Sequence, residues 1–307
     1  MQNSSLNGHL TAIFTIFLWG MTFISTKILL QVWPPVIILF LRFVIGFIAL
    51  WLIKPQMLHN TTWRQELTFM TAGICGITLY YLLENVALTY TQAANVSVII
   101  SAAPFFTLLV SHWLRQDDGH IRFNFLLGFV VAMLGIALLS ASGSTLHLNP
   151  LGDFLALAAA FVWALYSQLV KKIDSFGFNL ILTTRRIFFY GLLFILPILM
   201  LTDKQISLLP LRDFTYLLNL LFLGLGASAL CFVTWNLAVK LLGAVKTSIY
   251  IYLNPVITLC GSIIILHEQL TALMTCGVIL ALAGLLISEL PDWGLKDKIP
   301  FINKRHS

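Results

Sequence analysis

The chain has 307 residues, of which 59% are hydrophobic and 10% are charged, and its mean hydropathy is +0.93. This composition leaves too little polar surface for a water-soluble globular domain. The net charge of +6 at pH 7 raises the alternative of nucleic-acid binding, which the placement of the basic residues argues against.

Apolar segments of about 18 to 25 residues, the length that a helix needs to cross a hydrocarbon core, recur along the whole chain. Connections between them are short, so no soluble domain is inserted. The sequence therefore predicts an all-α integral membrane protein with ten transmembrane helices. We expect these spans at about 9–30, 35–54, 67–90, 93–115, 122–140, 151–170, 178–201, 213–238, 244–266 and 271–289.

The basic residues predict the orientation of these spans. With a cytoplasmic N-terminus, twelve Lys and Arg residues fall on the inner side and three on the outer side, as the positive-inside rule requires. Both termini are therefore predicted to be cytoplasmic, and nucleic acid is not a predicted partner. Short loops and the lack of a cleavable signal favour a bacterial inner membrane.

The two halves of the chain carry the same pattern. At a constant offset of 151, matching positions are Asn85 and Asn236, Ala87 and Ala238, Ala93 and Ala244, Ser97 and Ser248, Pro104 and Pro255, and Asp117 and Glu268. At an offset of 144, Trp19 corresponds to Trp163 and Arg42 to Arg186. Spans one to five and six to ten are therefore predicted to be two copies of one unit.

Because five is an odd number, the second copy enters the membrane from the opposite face. The sequence thus predicts two inverted-topology five-helix repeats, an arrangement that builds many secondary transporters with a substrate site near the midplane. The first repeat is expected over residues 1–142 and the second over 151–290. Residues 143–150 form a Ser/Gly-containing linker, and 291–307 a cytoplasmic basic tail.

Several motifs resemble those of a known family. They are WG-x-x-F-x-x-x-K over Trp19–Lys27, then Pro34-Pro35, LRF over Leu41–Phe43, and A-x-x-Y-T-x-A-A-N over Ala87–Asn95. Together with the duplicated unit, they resemble the EamA-type branch of the drug/metabolite transporter superfamily along the whole chain. The resemblance implies ten helices around a central cavity, alternating access, and export of small metabolites or drugs. Arg115–Asp118 departs from the Gly-Glu pair that the family commonly has there.

Charged residues inside the spans are functional candidates because burying them in a membrane is costly. Arg42 and Glu84 are predicted at matching depths, so they are expected to form an ion pair near the outer mouth of the cavity, as a gate, a substrate contact or a static pair. The second copy has Arg186 but no matching carboxylate. Glu84 is therefore the best candidate for proton coupling, and Arg186 for an anionic group or for snorkelling to headgroups.

Proline residues interrupt the fourth and ninth spans. Pro104 and Pro255 are expected to kink these helices, since each removes a backbone hydrogen bond. Asn95, Tyr250 and Asn254 lie in the same spans and are candidate cavity residues, with Tyr250 and Asn254 on one helical face. Ordinary packing around a proline kink is the alternative.

Aromatic side chains are predicted deep in the first and sixth spans. Trp19, Trp163 and Tyr166 lie too far from the span ends for an interfacial belt. They are candidate cavity walls that would suit apolar, aromatic or cationic substrates. A lining that mixes rings, amides and basic groups would suit amino acids, with an arginine holding the carboxylate.

The leading functional hypothesis is a secondary transporter that exports a small organic molecule and runs on a gradient or on exchange. No P-loop or metal-binding spacing occurs in the sequence, so no cofactor is predicted. An intramembrane enzyme is an alternative, although the acidic stretch at Asp117–His120 is predicted to be a solvated inner loop. An uncoupled channel or facilitator is another alternative. Expected partners are the small-molecule substrate and the lipid bilayer, with the chain a monomer or a homodimer.

Overall fold

The structure is a computed structural model that describes residues 2–90, 93–114, 123–141, 150–201, 207–266 and 272–289. These residues are almost entirely helical, and no strand occurs among them. The first half contains α1 (Gln2–Leu29), α2 (Pro35–Ile53), α3 (Trp63–Gly73), a π-helical stretch (Ile74–Leu79), α4 (Tyr80–Tyr90), α5 (Ala93–Ile100), α6 (Ala103–Trp113) and α7 (Phe123–Ala141). The second half contains α8 (Pro150–Asp174), α9 (Leu180–Met200), a 3-10 turn (Leu209–Arg212), α10 (Phe214–Leu221), a π-helical stretch (Phe222–Leu230), α11 (Cys231–Leu242), α12 (Ala244–Ser248), a 3-10 stretch (Ile249–Leu253), α13 (Asn254–Leu266) and α14 (Ala272–Glu289).

Eight helical segments are long and apolar enough to cross a membrane. They are Ser5–Leu29, Pro35–Ile53, Trp63–Tyr90, Val96–Trp113, Pro150–Asp174, Leu180–Met200, Phe214–Leu242 and Ala244–Ile265. At the places of the fifth and tenth predicted spans, α7 and α14 carry shorter apolar stretches, Phe123–Gly135 and Thr275–Ser288. The all-helical membrane fold is thus confirmed. The count of ten spans and their inverted arrangement stay predictions.

Residues 143–149 of the predicted linker and the predicted tail at 291–307 lie outside the described residues. Pro150, which we placed in the linker, is instead the first residue of α8. A proline is well suited to this position, because the first turn of a helix does not need its backbone N–H and the ring presets φ.

Local capping residues explain where several helices begin. Thr62 forms a capping box before α3, where its Oγ1 accepts from the Gln65 N–H and the Gln65 Oε1 accepts from the Thr62 N–H at 2.9 Å. Asn179 and Asp213 accept backbone N–H donors in the same way ahead of α9 and α10. Such caps stabilise a helix end by about 1 kcal/mol each, and they place the loops between spans.

Helices from the two halves pack against each other throughout the molecule. The main pairs are α1 with α11, α2 with α9, α4 with α8 and α7 with α14. In the α7–α14 pair, a Cβ on Gly128 would lie 2.5 Å from the Gly284 carbonyl oxygen, so the two backbones can meet only because both residues are glycine. The small-residue face of Gly128 and Ala132 is therefore used within the chain.

The outside of the bundle is apolar as well. Leu52, Met200, Leu201 and Phe214 are all more than two-thirds exposed, which suits contact with lipid tails. By contrast, the interior contains fully buried polar groups, including Arg42 and Asn85. Apolar side chains thus cover much of the outer surface, and polar candidates for a functional site lie in the interior of the bundle.

Candidate binding cavity

Two π-helical stretches flank the centre of the bundle. Residues 74–79 correspond to residues 225–230 at the offset of 151, so the irregularity recurs at matching positions of the two halves. Single π-helical turns are rare and are frequent at functional sites. In the first stretch, a Cβ on Gly76 would lie 2.2 Å from the ring of Tyr166, so this glycine is required for the stretch to approach α8.

A cavity with about 350 Å³ of empty space, part of it open to solvent, begins where the first π-helical stretch ends, at Tyr80 and Tyr81. Both halves of the chain contribute to it. The lining residues are Trp19, Thr22, Phe23, Tyr80, Tyr81, Glu84, Ile100, Trp163, Ile251 and Asn254. Four of the nine predicted cavity residues therefore meet in one place: Trp19, Glu84, Trp163 and Asn254.

Aromatic rings form most of the cavity wall. Trp19 and Trp163 meet edge to face with their ring centroids 5.1 Å apart, and the Tyr80 ring lies 4.8 Å from Trp163. Trp19 is fixed by a hydrogen bond from its Nε1 to the Ala227 carbonyl oxygen at 2.9 Å. Ala227 lies in the second π-helical stretch, so the irregular backbone positions a cavity side chain directly.

Two buried acceptors face this wall. The exposed fraction is 1% for Glu84 and 4% for Asn254. Neither Glu84 Oε1 nor Asn254 Oδ1 has a hydrogen-bond partner in the part of the chain that the structure describes. Leaving such a group unsatisfied costs about 1 to 3 kcal/mol, so both atoms are available for a ligand.

Arg42 lies behind the wall rather than in it. Its guanidinium packs over the Tyr81 ring at 4.3 Å, and its Nε donates to Ser228 Oγ at 3.0 Å. No ion pair joins it to Glu84 among the described contacts, although the two charges interact electrostatically. The structure thus shows a longer-range pairing than the ion pair that we expected from the sequence.

Tyr166 is fully buried and sits behind Trp163, with ring centroids 5.0 Å apart. Its hydroxyl donates to Asn236 Oδ1 at 3.1 Å, and Asn236 Nδ2 donates to Thr184 Oγ1 at 3.0 Å. Asn236 in turn lines a second cavity of about 300 Å³, together with Asp174 and Thr183. Tyr166 therefore connects the two cavities rather than lining the first.

Arg186 lies away from both cavities. Its guanidinium pairs with the Glu66 carboxylate at 2.8 Å, and the Tyr190 hydroxyl donates to the same carboxylate. The neighbouring Arg185 donates to the Lys54 carbonyl oxygen at 2.5 Å and stacks on the Trp51 ring. Both arginines join α9 to the region around α2 and α3, and neither lines one of the two cavities.

The two prolines stand where regular helix is interrupted. A turn at 101–102 separates α5 from α6, with Pro104 in the first turn of α6, and a 3-10 stretch ends just before Asn254 and Pro255. Tyr250 lies in that 3-10 stretch and bonds to His9 of α1 instead of lining the cavity. The side chain of Asn95 lies outside the described residues.

Tyr80 and Tyr81 are cavity residues that the sequence interpretation missed. The spacing carried a signal, because Tyr80 lies four residues before Glu84 and so shares its helical face. Among the described residues, no group of three His, Cys, Asp or Glu side chains comes together to hold a metal ion. The described lining of the cavity offers aromatic rings and two unpaired hydrogen-bond acceptors.

An all-helical bundle with eight candidate spans and a buried polar cavity between its halves defines an integral membrane protein of the transporter class. The sequence model of the EamA-like transporter family matches the chain twice, over residues 6–141 and 150–290. The chain belongs to this family, a branch of the drug/metabolite transporter superfamily.

Several curated proteins are similar over nearly the whole chain. "Uncharacterized transporter YvbV" of Bacillus subtilis is 26% identical over 273 residues, covering 89% of this chain and 88% of its own. "Probable amino-acid metabolite efflux pump" of Escherichia coli is 27% identical over 290 residues, covering 90% and 93%. A chain from a solved crystal structure matches with a TM-score of 0.72 and 18% identity, over 97% of this chain and 100% of that one, which supports the fold alone.

Proposed function

We propose that the chain is a secondary active transporter that exports small organic metabolites by alternating access. Its substrates would be amino acids or related compounds, or drugs. The observation that carries this proposal is the cavity to which both halves of the chain contribute. Trp19 and Glu84 come from the first half, and Trp163 and Asn254 come from the second. Movement of one half against the other would open such a cavity to each side in turn.

The relatives support transport more than catalysis. A relative in Bacillus subtilis is named an uncharacterized transporter, and the proteins of Escherichia coli and Salmonella typhimurium are named probable amino-acid metabolite efflux pumps. Their names describe those proteins, and we extend them to this chain as a proposal. The aromatic and polar mixture in the cavity is compatible with an amino acid or a similar small molecule.

The membrane arrangement in this proposal has ten spans in two inverted five-helix repeats. Helices α7 and α14, which carry shorter apolar stretches than the eight long segments, would supply the other two spans. The asymmetry of basic residues supports cytoplasmic termini, and we propose that the chain lies in the inner membrane of a bacterial cell.

Glu84 is the proposed coupling residue. It is the carboxylate in the wall of the cavity, and it is buried next to the Tyr80 hydroxyl and within the field of Arg42. A carboxylate at this place can carry a proton in one direction and release it when the substrate binds. Exchange without a proton is the alternative energy source.

Counterflow in proteoliposomes tests the transport function. Vesicles are loaded with a mixed pool of amino acids and metabolites, and uptake of labelled pool members is measured at two pH values for the wild type and Glu84→Gln. We expect saturable, pH-dependent exchange that Glu84→Gln reduces at least about tenfold. Glu66→Gln is the matched control, since its carboxylate is paired with Arg186 outside the cavity.

The outcomes separate the candidate functions. Flux that neither saturates nor shows counterflow would identify a channel or facilitator. Absence of flux for every pool member would contradict the transporter proposal and favour the enzyme alternative. Exchange that survives Glu84→Gln unchanged would leave a transporter whose coupling does not depend on this residue.

A further inference from the structure

The cavity presents hydrogen-bond acceptors that have no donor. Glu84 Oε1 on α4 and Asn254 Oδ1 at the start of α13 are both buried and unpaired in the described structure. They belong to opposite halves of the chain yet line the same space. A bound molecule that donates hydrogen bonds would satisfy both atoms at once, whereas a molecule that only accepts them would leave both unsatisfied.

The rings around these acceptors favour positive charge. The ring centroid of Trp163 lies 5.1 Å from that of Trp19 and 4.8 Å from that of Tyr80. The face of an aromatic ring attracts cations, and tryptophan does so most strongly. A carboxylate together with several ring faces is a suitable environment for an ammonium group.

The described part of the cavity wall carries no basic side chain that could pair with a substrate carboxylate. None of the described residues that line the cavity is Lys or Arg. The guanidinium of Arg42 is held by Ser228 and lies against the ring of Tyr81, which lines the cavity. Its electrostatic interaction with Glu84 offsets part of the cost of burying a charged carboxylate, which is otherwise high.

We propose that this cavity recognises the protonated amino group of its substrate, with Glu84 and Asn254 as acceptors and Trp19, Trp163 and Tyr80 around it. The carboxylate of an amino acid is then dispensable for binding. This inference rests on the proposed transport function and replaces the sequence-based idea that an arginine holds the substrate carboxylate. It defines the substrate class as small amines, including amino acids and their decarboxylated or amidated forms.

Binding to the purified protein in detergent tests the proposal without requiring transport. Four probes share one skeleton: phenethylamine, phenylalanine amide, phenylalanine and 3-phenylpropanoate. We expect the three amines to bind with affinities within about tenfold of one another and 3-phenylpropanoate at least about tenfold more weakly than phenethylamine, as loss of a charge-assisted hydrogen bond predicts. Binding is measured by ligand-induced thermal stabilisation over a concentration series.

Three variants locate the effect. Glu84→Gln should weaken phenethylamine binding by about tenfold or more and reduce its advantage over 3-phenylpropanoate. Asn254→Leu should weaken the amine in the same direction by a smaller factor, which provides a second test if the first variant folds poorly. Glu66→Gln, a carboxylate outside the cavity, should leave the preference unchanged.

Several results would overturn the inference. These are equal binding of phenethylamine and 3-phenylpropanoate, no binding of any of the three amines at millimolar concentration, or an amine preference that persists in both Glu84→Gln and Asn254→Leu. The failure of the transport proposal would look different, because a protein that binds amines but moves no solute would still show the binding preference.

Discussion

At the scale of single residues, the buried charges Arg42 and Glu84 depend on each other. Arg42 is fully buried, and its two terminal nitrogens have no hydrogen-bond partner among the described residues. Its stability in the interior rests on the Tyr81 ring, the Ser228 hydroxyl and the field of Glu84. Neutralising one charge leaves the other uncompensated, whereas neutralising both removes the cost.

We therefore predict non-additive effects on stability. Arg42→Met alone should lower the free energy of unfolding by roughly 3 to 5 kcal/mol, the typical cost of stranding a buried charge. The double variant Arg42→Met with Glu84→Gln should recover most of that loss. Thermal unfolding in detergent of the wild type, the two single variants and the double variant provides the cycle. If the two single effects simply add, the two charges are not coupled.

At the scale of helical elements, the π-helical stretch at Ile74–Leu79 depends on Gly76. A Cβ there would meet three atoms of the Tyr166 ring at 2.2 to 2.6 Å, and Tyr166 packs on the cavity residue Trp163. Any side chain at position 76 must displace this buried ring. The close approach of this π-helical stretch to α8 is thus tied to the shape of the cavity wall.

We predict that Gly76→Ala lowers the melting temperature in detergent and impairs transport, at a cost of about 1 to 3 kcal/mol from overpacking. The matched control is Gly226→Ala in the second π-helical stretch, where an added Cβ meets nothing nearer than 3.5 Å. The two variants make the same chemical change, and the size-exclusion profile after heating compares them. Equal tolerance of both would show that the bundle adjusts easily at Tyr166.

The positions of the helices and of several cavity residues could be predicted from the sequence. Hydropathy predicted helical segments at all ten places, with bounds within about four residues except at the start of α1, which begins at Gln2 instead of near residue 9. The prolines predicted interruptions near Pro104 and Pro255, where regular helix is broken at 101–102 and at Ile249–Leu253. Trp19 and Trp163 were predicted from their depth and their repeat symmetry, Glu84 from its charge inside a span, and Asn254 from its place before Pro255, and all four line the cavity. These properties depend on local composition and spacing, which a sequence carries directly.

What the sequence could not predict depends on packing between distant elements. Arg42 was expected to pair with Glu84, but Tyr81 and Ser228 hold its guanidinium instead. Arg186 was a cavity candidate, yet Glu66 lies within 2.8 Å of it and holds it elsewhere. The π-helical stretches have no sequence signature beyond their glycines, because their geometry follows from contacts such as that of Gly76 with Tyr166.

At the scale of the whole molecule, each main interface joins one half of the chain to the other. The main pairs are α1 with α11, α2 with α9, α4 with α8 and α7 with α14, and α1 and α4 of the first half line the cavity together with α8 and α13 of the second. Because the cavity wall is shared, a relative movement of the halves changes access to it. We therefore propose that the cavity opens to each side of the membrane in turn, as alternating access requires.

Side-specific labelling of a single cysteine tests that claim most directly. Thr22, a buried residue of the cavity lining, is changed to Cys in a variant whose four native cysteines are replaced by Ala, and a membrane-impermeant maleimide is added from either side of reconstituted vesicles. Ser175→Cys, in the exposed turn after α8, is the control that should react from one side only. We predict that Thr22→Cys reacts from both sides. Reaction from one side only, under every condition, would contradict alternating access through this cavity.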